Sequence, residues 1–450
     1  MKKWNGILIA AWLATFPAAA EQTMQWRVTG DSTHYVLEGG GDAQSEAGAS
    51  LSVQSQGDVG ESYGGGVAAV DATPFRGQRV RLSGRIDAHS VVGGAGLWLR
   101  ADGPSGVVAF ANTQREPVLG DASNVSREVE ISVPSSAQTV LFGPLLTGRG
   151  RLLVRQLRLE RSPADTDADV PPAQIVEAAV AIMRDHALNA NRIDWSAVQS
   201  ALVQKAEVAK GPADAYAVID SLIQQLGDRH SVLMLPVAAR RYAQQGQPSE
   251  APRIFVRDGV ATILVPGFWG TSHEAAQAFA RTLASGIAEV SPQVTGGWVV
   301  DLRDNPGGNM WPMLSGLSTL LGKEPVGFFR DAKGRDTPWR INPPGMPIPD
   351  LTNAQVAVLT GARTASSGEA IAVAFRGRPN TRSFGQPTAG LSTGNRQYEL
   401  PGGARLGLAT ARFVDRTGQV YGEKISPDEL VREQDAISRA EKWLNRDGEV

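Results

Sequence analysis

Residues 297–308 read Gly297-Trp298-Val299-Val300-Asp301-Leu302-Arg303-Asp304-Asn305-Pro306-Gly307-Gly308, a short apolar run that leads into a polar turn with two glycines. The apolar run is typical of a buried β-strand, and a helical pattern follows the glycines. Strand patterns at 260–265 and 357–359 and helical patterns at 272–287 and up to residue 374 repeat this alternation. Alternating strands and helices predict an α/β core built of βαβ units over residues 251–450.

The N-terminal part has a different pattern. Short runs in which apolar and polar residues alternate are separated by glycine, serine and asparagine, for example at 78–86, 96–100 and 129–133. This pattern predicts an all-β sandwich of the jelly-roll type over residues 21–161. An acidic, proline-bearing segment at 162–172 is typical of a linker. Helical spacing of apolar residues then predicts a small helical subdomain over residues 173–250.

The first twenty residues have the features of a signal peptide. Lys2 and Lys3 precede an apolar run at 7–16, and small residues at 18–20 precede Glu21. The run is shorter than the roughly 20 residues that a membrane span needs. We therefore expect a chain exported across the inner membrane, most simply to the periplasm, and a retained anchor is the alternative.

Composition excludes several classes of protein. Among 450 residues, 44 Lys and Arg against 46 Asp and Glu leave a net charge of -2, which is not the charge of a nucleic-acid binder. The chain has no cysteine, so disulfides and thiol nucleophiles are excluded. No metalloprotease motif or phosphate loop occurs, so we expect no cofactor and no metal. We also expect that the protein is not an integral membrane protein. The sequence does not determine whether it forms oligomers.

Three segments carry groups that serine hydrolysis requires. His230, on a turn after a helical run, is a candidate base, although a lone histidine is more often structural. Gly307 and Gly308 can turn their N–H groups toward an oxyanion, or form a turn without catalytic meaning. Ser366 lies where a strand leads into a helix, so it is a candidate nucleophile with the Ser367 N–H as a further oxyanion donor. Its alternative role is that of a helix cap.

These segments, in this order, resemble the serine peptidase family of the C-terminal (tail-specific) processing peptidases and tricorn protease. The resemblance covers the chain from about residue 175 to its end, and it implies a ClpP/crotonase-like fold for the α/β core. The matching segments are Asp228-Arg229-His230-Ser231, Asp301-Leu302-Arg303-Asp304-Asn305-Pro306-Gly307-Gly308, Thr364-Ala365-Ser366-Ser367-Gly368-Glu369, Gly385-Gln386-Pro387-Thr388-Ala389-Gly390 and Gly422-Glu423-Lys424-Ile425-Ser426-Pro427-Asp428. The N-terminal part is similar to galactose-binding-like jelly-roll modules, from which we predict no ligand.

The sequence differs from the Ser/Lys-type processing peptidases in two features, which limit the branch of the family that it resembles. Leu391 stands where Ser/Lys-type processing peptidases have a lysine, and the segment 236–254 is too short for their PDZ domain. The PDZ-less, tricorn-like branch fits better, and it implies Ser366 as nucleophile, His230 as base and Glu423 as the group that orients the histidine. Ser231 resembles a supporting serine of that branch.

The resemblance implies a secreted serine endopeptidase that acts on proteins or peptides through an acyl-enzyme. For the oxyanion, Gly307 is the favoured donor among the three N–H groups named above. The alternative is a non-catalytic protein on the same scaffold that binds a lipid or a glycan.

Overall fold

The computed structural model describes residues 24–60, 62–104, 106–114, 117–162, 170–198, 211–236, 238–240, 250–269, 272–322 and 325–445. The predicted signal peptide and most of the predicted linker lie outside these residues. The chain divides into two compact units. The first comprises residues 1–179, 195–221 and 401–403, and the second comprises residues 180–194, 222–400 and 404–450. Helices α1 (Pro172–His186) and α2 (Pro212–Leu226) contribute residues to both units.

The first unit contains one antiparallel sheet of eight strands. These are β1 (Arg27–Gly30), β2 (Tyr35–Gly40), β3 (Ala49–Ser55), β4 (Tyr63–Asp71), β5 (Arg79–Gly103), β6 (Gly106–Asn112), β7 (Val118–Ser132) and β8 (Thr139–Arg161). Their order is β1-β4-β8-β3-β2, and β5 pairs with β6, β7 and β8. The expected β-rich N-terminal region is thus confirmed.

Alternation of apolar and polar residues explains why these segments form strands with one buried face. In β5, Val80 and Leu82 are fully buried, whereas Arg79 and Arg81, which alternate with them, are half-buried. Trp98 on the same strand is fully buried, and its Nε1–H donates to the carbonyl of Gly66 on β4 at 3.3 Å. Trp98 therefore belongs to the core of this unit and not to a surface that could bind a sugar.

The second unit is built on a six-stranded sheet. Its strands are β10 (Arg253–Arg257), β11 (Val260–Leu264), β12 (Gly297–Asp301), β15 (Val356–Thr360), β16 (Thr381–Gly385) and β19 (Glu429–Leu430), in that order. β10 is antiparallel to β11, and all other neighbours are parallel. Beyond α1 and α2, the helices of this unit that the structure gives with both ends include α3 (His273–Val290), α4 (Met310–Gly316), α5 (Ser318–Leu321), α6 (Ser367–Phe375) and α7 (Ala436–Leu444).

Both faces of this sheet are covered by helices, which is why its central strands β11, β12 and β15 are almost wholly apolar. On one face Ile263, Val300 and Val358 pack with residues of α3, α4 and α6. On the other face the alternate residues of these strands, such as Val299 and Leu359, pack with residues of α7. The period of two that sorts these side chains is the ordinary pleat of a strand.

A second, five-stranded antiparallel sheet completes this unit. It contains β9 (Val232–Met234), β13 (Phe328–Asp331), β14 (Asp336–Pro338), β17 (Thr393–Glu399) and β18 (Arg405–Val414). The order is β14-β13-β18-β17, with β9 also paired to β18. Because β9 and β17 both pair with β18, the turn before β9 lies close to the start of β17.

Two turns meet at one edge of the parallel sheet. β12 and β15 are neighbours, so the segment that follows Asp301 and the segment that follows Thr360 leave the sheet side by side. This carboxyl-terminal edge is where open α/β sheets generally bind ligands. Within the described ranges, no helix has the length and the apolar character required to cross a membrane.

Candidate active site

Ser366 and His230 form a hydrogen bond. The distance between Ser366 Oγ and His230 Nε2 is 2.9 Å, although the two residues are 136 positions apart in the chain. Ser366 is half-buried and lies at the turn from β15 into α6, with φ 51° and ψ -115°. A backbone of this kind costs a non-glycine residue about 1–3 kcal/mol and is concentrated at functional sites. The turn thus holds the serine hydroxyl against the imidazole in a strained conformation.

The turn that carries His230 is held by three side chains. The Asp228 carboxylate accepts hydrogen bonds from the backbone N–H groups of His230 (2.9 Å) and Ser231 (2.6 Å) and from the Ser231 hydroxyl (2.9 Å). Ser231 Oγ in turn accepts from the N–H of Ala409 on β18 (3.0 Å), and Asn395 Nδ2 donates to the carbonyl of His230 (2.8 Å). Ser231 therefore fastens the backbone of the turn to β18.

The second ring nitrogen of His230 contacts a hydroxyl. His230 Nδ1 lies 2.7 Å from Oγ1 of Thr393, the first residue of β17. Glu423, which the resemblance implies for this place, has an exposed side chain, and its backbone carbonyl accepts from the Ser392 hydroxyl at 2.6 Å. Ser392 thus holds the backbone of Glu423 beside β17, and the next residue after Ser392, Thr393, contacts the ring. Among the described contacts, the group at His230 Nδ1 is therefore Thr393 and not Glu423.

The glycine turn lies against the nucleophile turn. Gly307 has φ 108°, and a Cβ placed on it would lie 2.9 Å from Ser366 Cβ and from the Ala365 carbonyl oxygen. Only glycine permits this approach. The Gly307 N–H, however, donates to Asn305 Oδ1 at 2.9 Å. In the part of the chain that the structure describes, the N–H groups of Gly308 and Ser367 donate to no protein acceptor. Of the three candidate oxyanion donors, Gly308 and Ser367 are therefore the two whose N–H groups stay available, whereas the Gly307 N–H is occupied.

Asn305 connects the two turns. It is fully buried, and its Nδ2 donates to the carbonyl of Val265 at 3.0 Å. Its backbone carbonyl accepts from the Ala365 N–H at 3.0 Å, and the Ser367 hydroxyl donates to the carbonyl of Gly308 at 2.6 Å. These bonds fix the glycine turn relative to Ser366, which a rigid oxyanion site requires.

A buried carboxylate lies beneath the nucleophile turn. Glu369, fully buried in the first turn of α6, accepts from the N–H groups of Ser366 (2.8 Å), Leu391 (2.7 Å) and Gly390 (2.9 Å) and from the Thr388 hydroxyl. Burial raises the pKa of the Glu369 carboxyl, and these hydrogen bonds oppose that rise because they favour the ionised form. Sequence analysis assigned Glu369 no role, although the spacing Ser-x-x-Glu at the start of a helix is a known capping signal.

Two residues beyond the glycines differ in exposure. Met313 is fully buried, and its sulfur lies 3.2 Å from Asn305 Nδ2. Trp311 is 44% exposed and contacts Phe329 edge-on, with ring centroids 6.5 Å apart. Trp311 is thus an aromatic side chain that faces solvent close to the glycine turn. Among the described residues, no group of three or more His, Asp or Glu side chains is arranged to hold a metal ion.

Comparison with known proteins shows which family part of the chain resembles. Residues 259–431 match the model of peptidase family S41. A nisin-resistance protein from Lactococcus lactis subsp. lactis is 28% identical over 290 residues, which cover 61% of this chain and 88% of that protein. A carboxyl-terminal-processing protease from Synechocystis is 26% identical over 176 residues, and the match spans 39% of this chain and 40% of that relative. The resemblance to the tail-specific processing peptidases is confirmed, and the comparisons support a peptidase.

A solved structure shares the fold. A lipoprotein from Streptococcus agalactiae superposes with a TM-score of 0.55 at 24% sequence identity. The superposition covers 61% of this chain and 96% of that one.

Proposed function

Because residues 259–431 match peptidase family S41, we propose that this protein is a serine endopeptidase that hydrolyses peptide bonds through an acyl-enzyme. The observation that carries the proposal is the 2.9 Å hydrogen bond between Ser366 Oγ and His230 Nε2. A serine hydroxyl is a weak nucleophile on its own, and a base within hydrogen-bond reach is what activates it. The strained backbone of Ser366 supports the same role.

The reaction follows from the positions of these groups. Ser366 Oγ attacks the carbonyl carbon of the substrate while its proton passes to His230 Nε2. The N–H groups of Gly308 and Ser367 stabilise the oxyanion of the tetrahedral intermediate. His230 then donates the proton to the leaving amine, and the carbon–nitrogen bond breaks. Water, deprotonated by His230, attacks the acyl-enzyme, and the collapse of the second intermediate returns the proton to Ser366 and releases the acid.

Thr393 sets the tautomer of His230. When Nδ1–H donates to Thr393 Oγ1, the lone pair of Nε2 is left free to accept the proton of Ser366. A hydroxyl can hold the ring in place as a carboxylate does, but it brings no negative charge to stabilise the imidazolium. We therefore propose a Ser-His pair oriented by a threonine, in place of a Ser-His-Glu triad.

We further propose that residues 1–20 are a signal peptide and that the mature chain acts in the periplasm. The charged, apolar and small-residue regions of the sequence support this placement. The α/β unit fits a ClpP/crotonase-like core, and the antiparallel N-terminal sheet fits a jelly-roll module. The domain scheme of residues 21–161, 162–172, 173–250 and 251–450 belongs to the same proposal.

Peptides are the proposed substrates. The match to 88% of a nisin-resistance protein makes nisin the first peptide to test. The exposed Trp311 beside the glycine turn offers an apolar surface on which a peptide side chain can lie.

Labelling of the purified mature protein with a fluorophosphonate tests this function. We expect the label to map to Ser366 by mass spectrometry and to be absent from Ser366→Ala, whereas Ser367→Ala, which keeps its backbone N–H, should still be labelled. A folded wild-type protein that takes up no label would contradict the proposal and favour the alternative of a non-catalytic ligand-binding protein.

A further inference from the structure

The proposed hydrolysis of peptides gives no role to Glu369, a buried acidic residue of the site. Glu369 is fully buried, and within the described residues no Lys or Arg forms an ion pair with it. A buried carboxylate without a cation is costly unless its oxygens are fully hydrogen-bonded. All of the hydrogen bonds described for Glu369 come from neutral donors, and they arise from two separate segments.

One segment carries the nucleophile. Glu369 Oε2 accepts from the N–H of Ser366 at 2.8 Å, which holds the backbone of the strained residue itself. Strain of this kind persists only where the surroundings enforce it. Since the Ser366 N–H belongs to the residue with φ 51°, its partner is well placed to maintain that conformation.

The other segment leads to the base. Glu369 Oε2 also accepts from the N–H of Leu391 at 2.7 Å, and Oε1 accepts from the Gly390 N–H and the Thr388 hydroxyl. Two residues after Leu391 the chain reaches Thr393, whose hydroxyl contacts His230 Nδ1. The same carboxylate therefore holds the backbone of Ser366 and the loop that positions the partner of His230.

We propose that Glu369 is a positioning residue that sets the distance between Ser366 and His230 by joining residues 388–391 to the nucleophile turn. This inference rests on the proposed function, because positioning matters only if Ser366 and His230 react. Glu369 touches no substrate and transfers no proton. Its effect reaches the reaction through the two segments that it connects.

Replacing Glu369 by glutamine tests the proposal. Glutamine has nearly the same shape, but its NH2 group must face at least one backbone N–H whichever way the amide turns. We expect the maximal rate of fluorophosphonate inactivation to fall about 100-fold, as for a misplaced reacting group, with the inhibitor's half-saturation concentration nearly unchanged. Amide hydrogen exchange should become faster in peptides that cover residues 364–368 and 387–393.

Asp415 provides a matched control. It is also a buried carboxylate (3% exposed) that accepts from neutral donors: the N–H and hydroxyl of Thr417, the N–H of Gln419 and the hydroxyl of Tyr421. All of these donors lie in its own loop, away from Ser366 and His230. We expect Asp415→Asn to lower the melting temperature but to leave the inactivation rate within about threefold of the wild type. Equal losses of rate in the two variants would overturn the proposal, as would a wild-type rate in Glu369→Gln.

Two further measurements keep the test decisive. If Glu369→Gln does not fold, Thr388→Val removes one donor to Glu369 together with the acceptor of the Ile425 N–H, and we expect a rate about tenfold lower that Thr388→Ser restores. A wild-type rate in Thr388→Val would overturn the proposal. Amide hydrogen exchange separates positioning from general destabilisation, because the faster exchange at residues 364–368 and 387–393 should appear in Glu369→Gln and be absent from Asp415→Asn. If wild-type protein takes up no label, the proposed function fails while the exchange data still decide whether Glu369 joins the two segments.

Discussion

Thr393→Val removes the hydroxyl that contacts His230 and changes little else. Valine has almost the volume of threonine, and Thr393 is only 6% exposed, so water has little room to replace the lost group. His230 Nδ1 then loses the oxygen that lies 2.7 Å away. A half-buried N–H without an acceptor costs about 1–3 kcal/mol, and the ring is free to turn or to adopt the other tautomer.

The size of the loss discriminates between a hydroxyl and a carboxylate as the orienting group. A contribution of about 1–2 kcal/mol corresponds to a roughly 5- to 30-fold lower rate of acylation. Where a carboxylate orients the histidine of a serine protease, its replacement by an amide costs about 10⁴-fold. We therefore expect a modest loss in Thr393→Val and almost none in Glu423→Gln, because the Glu423 side chain is exposed.

The assay is the rate of inactivation by a fluorophosphonate, measured for both variants and for Thr393→Ser, which keeps the hydroxyl and should retain most of the rate. The reasoning is refuted if Thr393→Val reacts as fast as the wild type. It is also refuted if Glu423→Gln loses more than about 100-fold, since that result would return the orienting role to Glu423.

Two other predictions follow from the same site. Gly307→Ala places a methyl group 2.9 Å from Ser366 Cβ at φ 108°, so the rate of fluorophosphonate labelling should fall about 100-fold. The control is Gly418→Ala, at φ 90° with no atom within 4 Å of the new methyl group. It should cost about 1–2 kcal/mol of stability and leave labelling unchanged. Because burial raises the pKa of Glu369 above its ordinary value of 4.5, its contribution to stability is fully present below that value and is lost as the pH rises through the folded-state pKa. The free energy of unfolding of the wild type, measured in urea relative to that of Glu369→Gln, should therefore decrease as the pH rises above about 4.5, and an increase would contradict the direction of the shift.

The sequence predicted those parts of the structure that depend on local patterns. The apolar run at residues 297–302 indicated a strand, because a strand buried on both faces of a sheet is apolar along its length. The helical patterns on either side of such runs indicated the helices. Ser366 and Gly307 could be located because each follows such a run at a turn. Thr393 could not, since it meets His230 across 163 residues through the pairing of β17 and β9 with β18, and no local pattern encodes that pairing.

The sequence could not rank the candidate oxyanion donors, for a different reason. Gly307 and Gly308 are equivalent in sequence, and only the buried Asn305 distinguishes them by occupying the Gly307 N–H. The signal for Glu369 was present as the spacing Ser-x-x-Glu, but a capping pattern alone does not reveal that the same carboxylate also accepts from Gly390 and Leu391. Both roles depend on which polar groups are left to be satisfied after the segments meet.

The placement of negative charge decides how this site differs from a serine triad. In a triad the carboxylate lies behind the histidine and stabilises the imidazolium directly. Here a hydroxyl lies behind His230, and the buried carboxylate, Glu369, lies behind Ser366. Its charge is compensated by hydrogen bonds that hold the two reacting segments in register, so its contribution is to geometry more than to charge. If this arrangement is correct, loss of Glu369 must cost more reactivity than loss of Thr393, an order opposite to the one expected if the group bonded to His230 Nδ1 were the principal support of the pair.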